Sequence, residues 1–306
     1  MQNVFSPETI AAIAAIAREA RENFASGKRI KLLSENSKLA KVPGVRGSGW
    51  ILRGLAIAPA DVGGREVCTW RSAGCSRACN GLFSGGNNMP NTRRAMIERK
   101  IYFFENREEF KAQLVEELYG LQRKADREGM RIAVRLNVSS DIVWERIFPE
   151  LFGMFPGIRF YDYTKGALRH RPELPANYAL SHSVCETSSF ADLRDALDNG
   201  RNIVAAFNSS YVWGKHINAK GALPRWLWIV DRSGTRDDIV IQCRNGDRHD
   251  LRLPLADGNG NCVALRGKGG RALVAQAVTD GFILDFPGGR ELLKRDILRG
   301  EAVLAC

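Results

Sequence analysis

Short, β-rich apolar runs that alternate with helix-like segments constrain this chain more than any other feature. "RIAVRLNV" (131–138) is followed by "IVWERIFPELFGMF" (142–155), "IRFYDYT" (158–164), "YALSHSV" (178–184), "SFADLRDALDNG" (189–200) and "NIVAAFN" (202–208), with "DDIVIQC" and "NCVALRG" further on. A strand that passes through a helix to reach the next strand implies parallel pairing, because parallel neighbours need a crossover connection. The expected class is therefore α/β, as a partial or complete (β/α) barrel or an open doubly wound sheet. An N-terminal helix precedes it and the C-terminal part is richer in strands. The N-terminal helix is expected to start at Ser6 and Pro7, where a hydroxyl cap and a fixed φ suit a first turn, and to end at Gly27. A basic connector, "GKRIKLLSENSKLAKVPGVRGSG", then leads to residue 50. The expected division is thus 1–49 for the helix and connector and 50–306 for a single barrel-like domain. The connector reads either as a solvated linker or as an arm for nucleic acid.

Parallel strands all present their carboxyl ends at one edge, and functional residues gather there. Ser139, Ser140 and Asp141 follow "RLNV", Lys165 follows "RFYDYT", Cys185 and Glu186 follow "YALSHSV", and Asn208 closes "AAFN". Asp141 reads equally as a ligand-binding acid or as a cap for the helix that follows. A long helical pattern from Thr92 carries Phe110, Leu114, Leu118 and Leu121 on one face and stops at Gly129.

Into this frame falls "CTWRSAGCSRACNGLFSGGNN", with Cys68, Cys75 and Cys79 beside Gly74, Gly81, Gly85 and Gly86. No stretch reads as a secretory leader or as an apolar run of bilayer length, so the expected compartment is a reducing cytoplasm and no membrane partner is expected. An odd total of seven cysteines there points away from a disulfide framework. Cys75 and Cys79 lie on one face if helical. Three thiolates suit either zinc with a fourth ligand, for which Cys185, His182 and His249 are candidates, or a 4Fe-4S cluster with one iron open to substrate. Cys243, Cys262 and Cys306 read as buried or incidental thiols.

Two further segments carry chemistry. "NGDRHD" sets Asp247, His249 and Asp250 beyond a tight turn, which reads as a metal or acid–base site or as an ordinary polar turn. "RGKGGR" offers Lys268 between two arginines and glycine-freed N–H groups, the ingredients of a phosphate cradle without the spacing of a P-loop. Forty-five Lys and Arg against 34 Asp and Glu give a formal charge of +11, which makes nucleic acid a candidate partner.

Taken together, "CTWRSAGCSRAC", "VRLNVSSDI", "GIRFYDYTKGAL", "NGRNIVAAFN" and "NGDRHDLRL…GNGNCVALRGKGGRA" resemble, in the same order, the phage gene product 88 family over about residues 50 to 275. That family is similar in layout to radical S-adenosylmethionine proteins. The resemblance implies a cytoplasmic protein of a bacterial host with a cysteine-ligated 4Fe-4S cluster at Cys68, Cys75 and Cys79, acting on a small-molecule or nucleotide substrate. Asp141, Glu186 and Lys165 would be catalytic, and Ser139, Ser140, Asn208, Asp247, His249, Asp250 and Lys268 would bind the cofactor. Zinc in place of the cluster, in a non-catalytic nucleic-acid-binding protein, is the alternative. The chain departs from the pattern in two places. Its spacing is Cys-x6-Cys-x3-Cys rather than Cys-x3-Cys-x2-Cys, which bears on S-adenosylmethionine, and Ser140 stands where the family's "HVSGD" segment has glycine.

Overall fold

The computed structural model describes residues 6–35, 49–83, 87, 89–171, 173–208, 223–286 and 301–306. Connector residues 36–48 and the glycines Gly85 and Gly86 lie outside them. The chain forms two compact units: Met1–Arg71 with Cys79–Asp162 and Leu174–Ala179, and Ser72–Ala78 with Tyr163–Glu173 and Leu180–Cys306.

The first unit holds β1 (Leu33–Ser34), β2 (Trp50–Leu55), β3 (Arg131–Arg135) and most of β4 (Ile158–Thr164). β2, β3 and β4 are parallel neighbours, in register at Ile51↔Ile132 and Ile132↔Ile158, while β1 runs antiparallel to β2. The helix Pro7–Ala25 begins as the sequence requires. Ser6 Oγ accepts the Thr9 N–H, and the chain leaves through Gly27 at φ 80°. Its Ala17 and Ala20 pack on Met96, Ile97 and Ile101.

The long helical pattern after Thr92 is two helices, Pro90–Glu105 and Arg107–Glu128, broken at Asn106. The break brings Phe103 and Phe110 edge to face at 5.4 Å, and both rings reach Trp144. Such aromatic pairs contribute beyond their buried area. "IVWERIFPELFGMF" is likewise two short helices, Trp144–Ile147 and Glu150–Met154, parted at Phe148 and Pro149 because proline does not continue a helix from its interior.

The second unit contains most of β5 (Tyr178–Ser183), then β6 (Ile203–Phe207), β7 (Trp226–Val230), β8 (Ile239–Asn245), β9 (Cys262–Arg266) and β10 (Glu301–Ala305). Their order is β5-β6-β9-β8-β7-β10, parallel throughout except for β7 against β8. The nine-residue helix Phe190–Asp198 is the crossover between β5 and β6. Its Phe190, Leu193 and Ala196 are buried. The strand order of each unit is open. The α/β class with mostly parallel strands is therefore what the chain forms, and closure into a complete barrel is not seen among the described residues.

One side chain shapes the carboxyl end of β3. Asn137, 1% exposed, accepts at Oδ1 from the Ile142 N–H, the Ser140 hydroxyl and the Trp144 indole, and donates from Nδ2 to the Ile142 carbonyl. Its own N–H goes to Asp162 Oδ1 at 2.6 Å, and Tyr178 donates to the other oxygen of that carboxylate. Replacing Asn137 by Leu strands several buried donors at once. Chemical denaturation is expected to show a loss of about 3 kcal/mol, against about 1 kcal/mol for an exposed polar substitution such as Asn199→Ala.

Candidate functional site

The loop after β2 turns back under two carboxyl-terminal strand ends in the first unit. Ala60 adopts φ 49°, in the left-handed region that costs a residue with a Cβ about 1–2 kcal/mol. Both of its backbone polar groups are engaged. Its N–H donates to Cys68 Sγ at 3.2 Å, and its carbonyl accepts from Lys100 Nζ at 2.5 Å and from the Val67 N–H at 3.1 Å. Glu66 holds the other side of the turn, accepting from the N–H groups of Val67 and Cys68 and pairing with Arg71. Cys68 is half-buried, while Lys100 is fully buried, although the other charged residues of its helix keep some exposure.

Burial lowers the Lys100 ammonium from the usual 10.5 to about 8, and the neighbouring Cys68, Glu66 and Asp61 oppose that fall. At neutral pH the side chain is still mostly cationic. The site thus sets an N–H donor and a buried cation around one sulfur.

Two of the residues expected at the rim join it. Ser139 places its carbonyl 3.9 Å from Cys68 Sγ and donates its hydroxyl to the Ile57 carbonyl. The Asp141 N–H donates to the Val67 carbonyl at 2.8 Å, beside Cys68 in the chain. Val143, not Asp141, occupies the N-cap of the helix that follows. Ser140 turns to Asn137 instead. A Cβ on Gly81 would meet Ser139 Cβ at 2.9 Å and Pro59 at 3.1 Å, so glycine permits this close approach of the cysteine loop. Cys79 packs with the Ala58, Leu82 and Met96 cluster of the same unit.

Cys75 belongs to the second unit, on the short helix Ala73–Arg77. Glu186 fixes that helix: its carboxylate accepts from Ser72 Oγ at 2.7 Å and from the Gly74 N–H at 2.6 Å. Arg77 adds an ion pair with Asp280 at 2.7 Å. A Cβ on Gly74 would stand 2.6 Å from Phe282 Cβ, and Lys165 Nζ lies 5.2 Å from the centre of the same ring while donating to Ser183. Glu186 and Lys165 are therefore brought together around Phe282 and the helix that carries Cys75. Asn208, 2% exposed, bonds to Asp285 through Nδ2 and to the Leu284 carbonyl through its N–H.

The "NGDRHD" turn is built around an arginine that the sequence reading passed over. Arg252, 2% exposed, forms a two-pronged pair with Asp257 at 2.9 Å and donates to the carbonyls of Gly246 and His249 and to Tyr163 Oη. Burial opposes its charge, but Tyr163, Asp257 and Asp250 outweigh that and hold the guanidinium above its ordinary range. Asp247 is taken up by Arg266 at 2.8 Å, and His249 is held below its usual value by burial and by Arg252. Asp250 is buried, and Lys268 is exposed in the loop between β9 and the helix Arg271–Thr279.

All seven cysteines are free thiols. Cys243 and Cys262, set aside in the sequence, are register partners on β8 and β9, and their hydrogen bond together with burial pushes the Cys262 thiol well up. Among the described residues no three His, Cys, Asp or Glu side chains are grouped so as to hold a metal, and Cys68 and Cys79 belong to the first unit while Cys75 belongs to the second. A cavity of about 450 Å³ in the first unit, lined by Arg29, Lys31, Arg53, Gln113, Glu116 and Glu117 among others, shares no residue with the cysteine loop.

Fold and loop define a mixed α/β protein with a thiol held at its strand ends. The gene product 88 family matches residues 30–285, and the chain belongs to that family of phage proteins. No curated protein and no solved structure matches it. No helix among the described residues is long and apolar enough to cross a membrane.

The buried ammonium makes a sign-definite prediction. A lysine whose folded value of about 8 lies below its unfolded 10.5 is protonated in the unfolded chain alone between those two limits, so stability rises with pH across that window. Lys100→Met removes this contribution. Its unfolding free energy, compared with wild type by urea denaturation, is expected to shift by roughly 2 kcal/mol in favour of wild type between about pH 7 and about pH 10. A difference independent of pH contradicts it.

Proposed function

We propose that this phage protein works in the host cytoplasm through cysteine thiolates of the loop from Cys68 to Cys79, with Cys68 at the centre. One observation carries the reading: the Ala60 N–H donates to the Cys68 sulfur, and the buried Lys100 ammonium, bound to the Ala60 carbonyl, is electrostatically coupled to that sulfur. A backbone donor and a cation favour the anionic sulfur, which is the form that ligates metals and attacks electrophiles. The spacing of the three cysteines supports a 4Fe-4S cluster, or zinc, as the partner of these thiolates. When bound, either would supply Lewis-acid or redox chemistry, with Cys68 as its best-prepared ligand. The Ala60 N–H would then serve as the hydrogen bond to sulfur that tunes such centres. Ser139 and Asp141, beside this loop, are polar groups that could meet a substrate. The basic excess of the chain supports a polyanionic substrate or nucleic-acid partner.

Anaerobic purification followed by iron, sulfide and zinc assays and by native iodoacetamide footprinting tests the proposal. Two outcomes support it: metal that is lost in Cys68→Ala, or, in metal-free protein, alkylation of Cys68 about ten-fold faster than of Cys243 or Cys306. Protein without metal whose Cys68 reacts no faster than those two thiols overturns it.

A further inference from the structure

A second reactive constellation lies in the other unit and depends on no cysteine. It is built where β5 ends and the helix Phe190–Asp198 begins, the strand-to-helix position that places side chains at the functional edge of a parallel sheet. His182, near the end of β5, is 1% exposed, and both ring nitrogens have partners. Nδ1 lies 3.3 Å from the Gly166 carbonyl and Nε2 lies 3.0 Å from Ser188 Oγ. A carbonyl oxygen only accepts, so Nδ1 carries the ring proton and Nε2 presents its lone pair. The Ser188 hydroxyl must then donate to that lone pair. The Cys185 N–H donates to the same hydroxyl oxygen at 3.1 Å and fixes the rotamer. Ser188 is half-buried, so it keeps some exposure to solvent where His182 has almost none.

We propose that Ser188 and His182 are a nucleophile and its general base, and that they hydrolyse acyl esters. Two features required of such a pair are present. A serine donates to an imidazole, and the imidazole's other nitrogen is oriented by a fixed acceptor. The Gly166 carbonyl takes the orienting place that a carboxylate fills in other such sites. Ser188 Oγ attacks the ester carbonyl carbon, forming a C–O bond while its proton passes to His182 Nε2. Collapse of the adduct breaks the ester C–O bond, and the alcohol leaves with that proton. Water then attacks the acyl-serine and gives a proton to Nε2, and collapse releases the carboxylic acid and restores the serine hydroxyl. No oxidant, metal or second substrate besides water is required.

Burial, followed by the neighbouring Lys165, outweighs the Gly166 hydrogen bond and takes the imidazole from its usual 6.5 down to about 4. The imidazole therefore stays neutral well into mildly acidic solution, although it is a weaker base than an exposed histidine. A histidine that serves only to satisfy the core would show the same two hydrogen bonds but would leave Ser188 inert. A fluorophosphonate ester, incubated with the full-length protein and located by mass spectrometry, separates the two. The expected result is an adduct on Ser188 that is absent in Ser188→Ala. His182→Asn keeps a donor toward Gly166, and in it the labelling rate should fall by about a hundred-fold or more. In wild type the rate should be the same at about pH 5.5 as at about pH 7.5, because the base remains neutral at both. Folded wild-type protein that acquires no adduct on Ser188, a folded His182→Asn variant that labels at the wild-type rate, or a wild-type rate that halves near the ordinary histidine value each overturns the proposal.

Discussion

The cysteine loop depends on one backbone residue held where its side chain does not favour it. Ala60, at φ 49°, directs its N–H to the Cys68 sulfur and its carbonyl to the Lys100 ammonium. Strain of this kind persists only when surrounding contacts over-determine it. Here the Val67 N–H, the Glu66 carboxylate and the fully buried Lys100 stem supply those contacts. An ammonium buried on an apolar helix face is costly by itself, and the neighbouring acids and sulfur are what keep it charged. Strain and buried charge thus converge on one thiol, whereas an inert buried cysteine requires neither.

The second unit meets the same problem of placing polar groups at strand ends, and meets it with ion pairs and hydrogen bonds around several of them. Arg252 is surrounded by Asp257, two carbonyls and Tyr163, Asp247 by Arg266, and Glu186 by the Ser72 hydroxyl and the Gly74 N–H. These groups fix loops. Charged pairs of this sort are costly to break one partner at a time, which suits residues whose task is position.

Much of the frame was legible in the sequence. β4 spans the run "IRFYDYT", and β3, β5, β6 and β9 fall within their apolar runs, because strands covered on both faces are apolar throughout and the helices between them are amphipathic. The Ser6 cap and Pro7 start of the first helix and the stop at Gly129 were legible from local turn and cap chemistry. The break at Asn106 was not, since the helical spacing continues through it and only the packing of Phe103 and Phe110 on Trp144 requires a turn. β7 escaped notice because its outward positions are Trp226 and Trp228, so no polar alternation marked it. Closure of a sheet is a property of long-range pairing, which no local pattern encodes. Within the site, Cys68, Ser139 and Asp141 were legible as residues past successive parallel strands. Lys100 and Arg252 were not, because a cation in a helix or turn reads as a solvated face until burial shows otherwise.

The account stands on the proposal that the Ala60 N–H and the Lys100 ammonium favour the thiolate form of Cys68. The most direct measurement is the rate at which Cys68 alone is alkylated in metal-free protein near neutral pH, resolved by mass spectrometry, in wild type and in folded Lys100→Met. The account predicts that loss of the ammonium slows Cys68 about ten-fold or more while leaving Cys306 unchanged. Equal rates at Cys68 in the two proteins would contradict it.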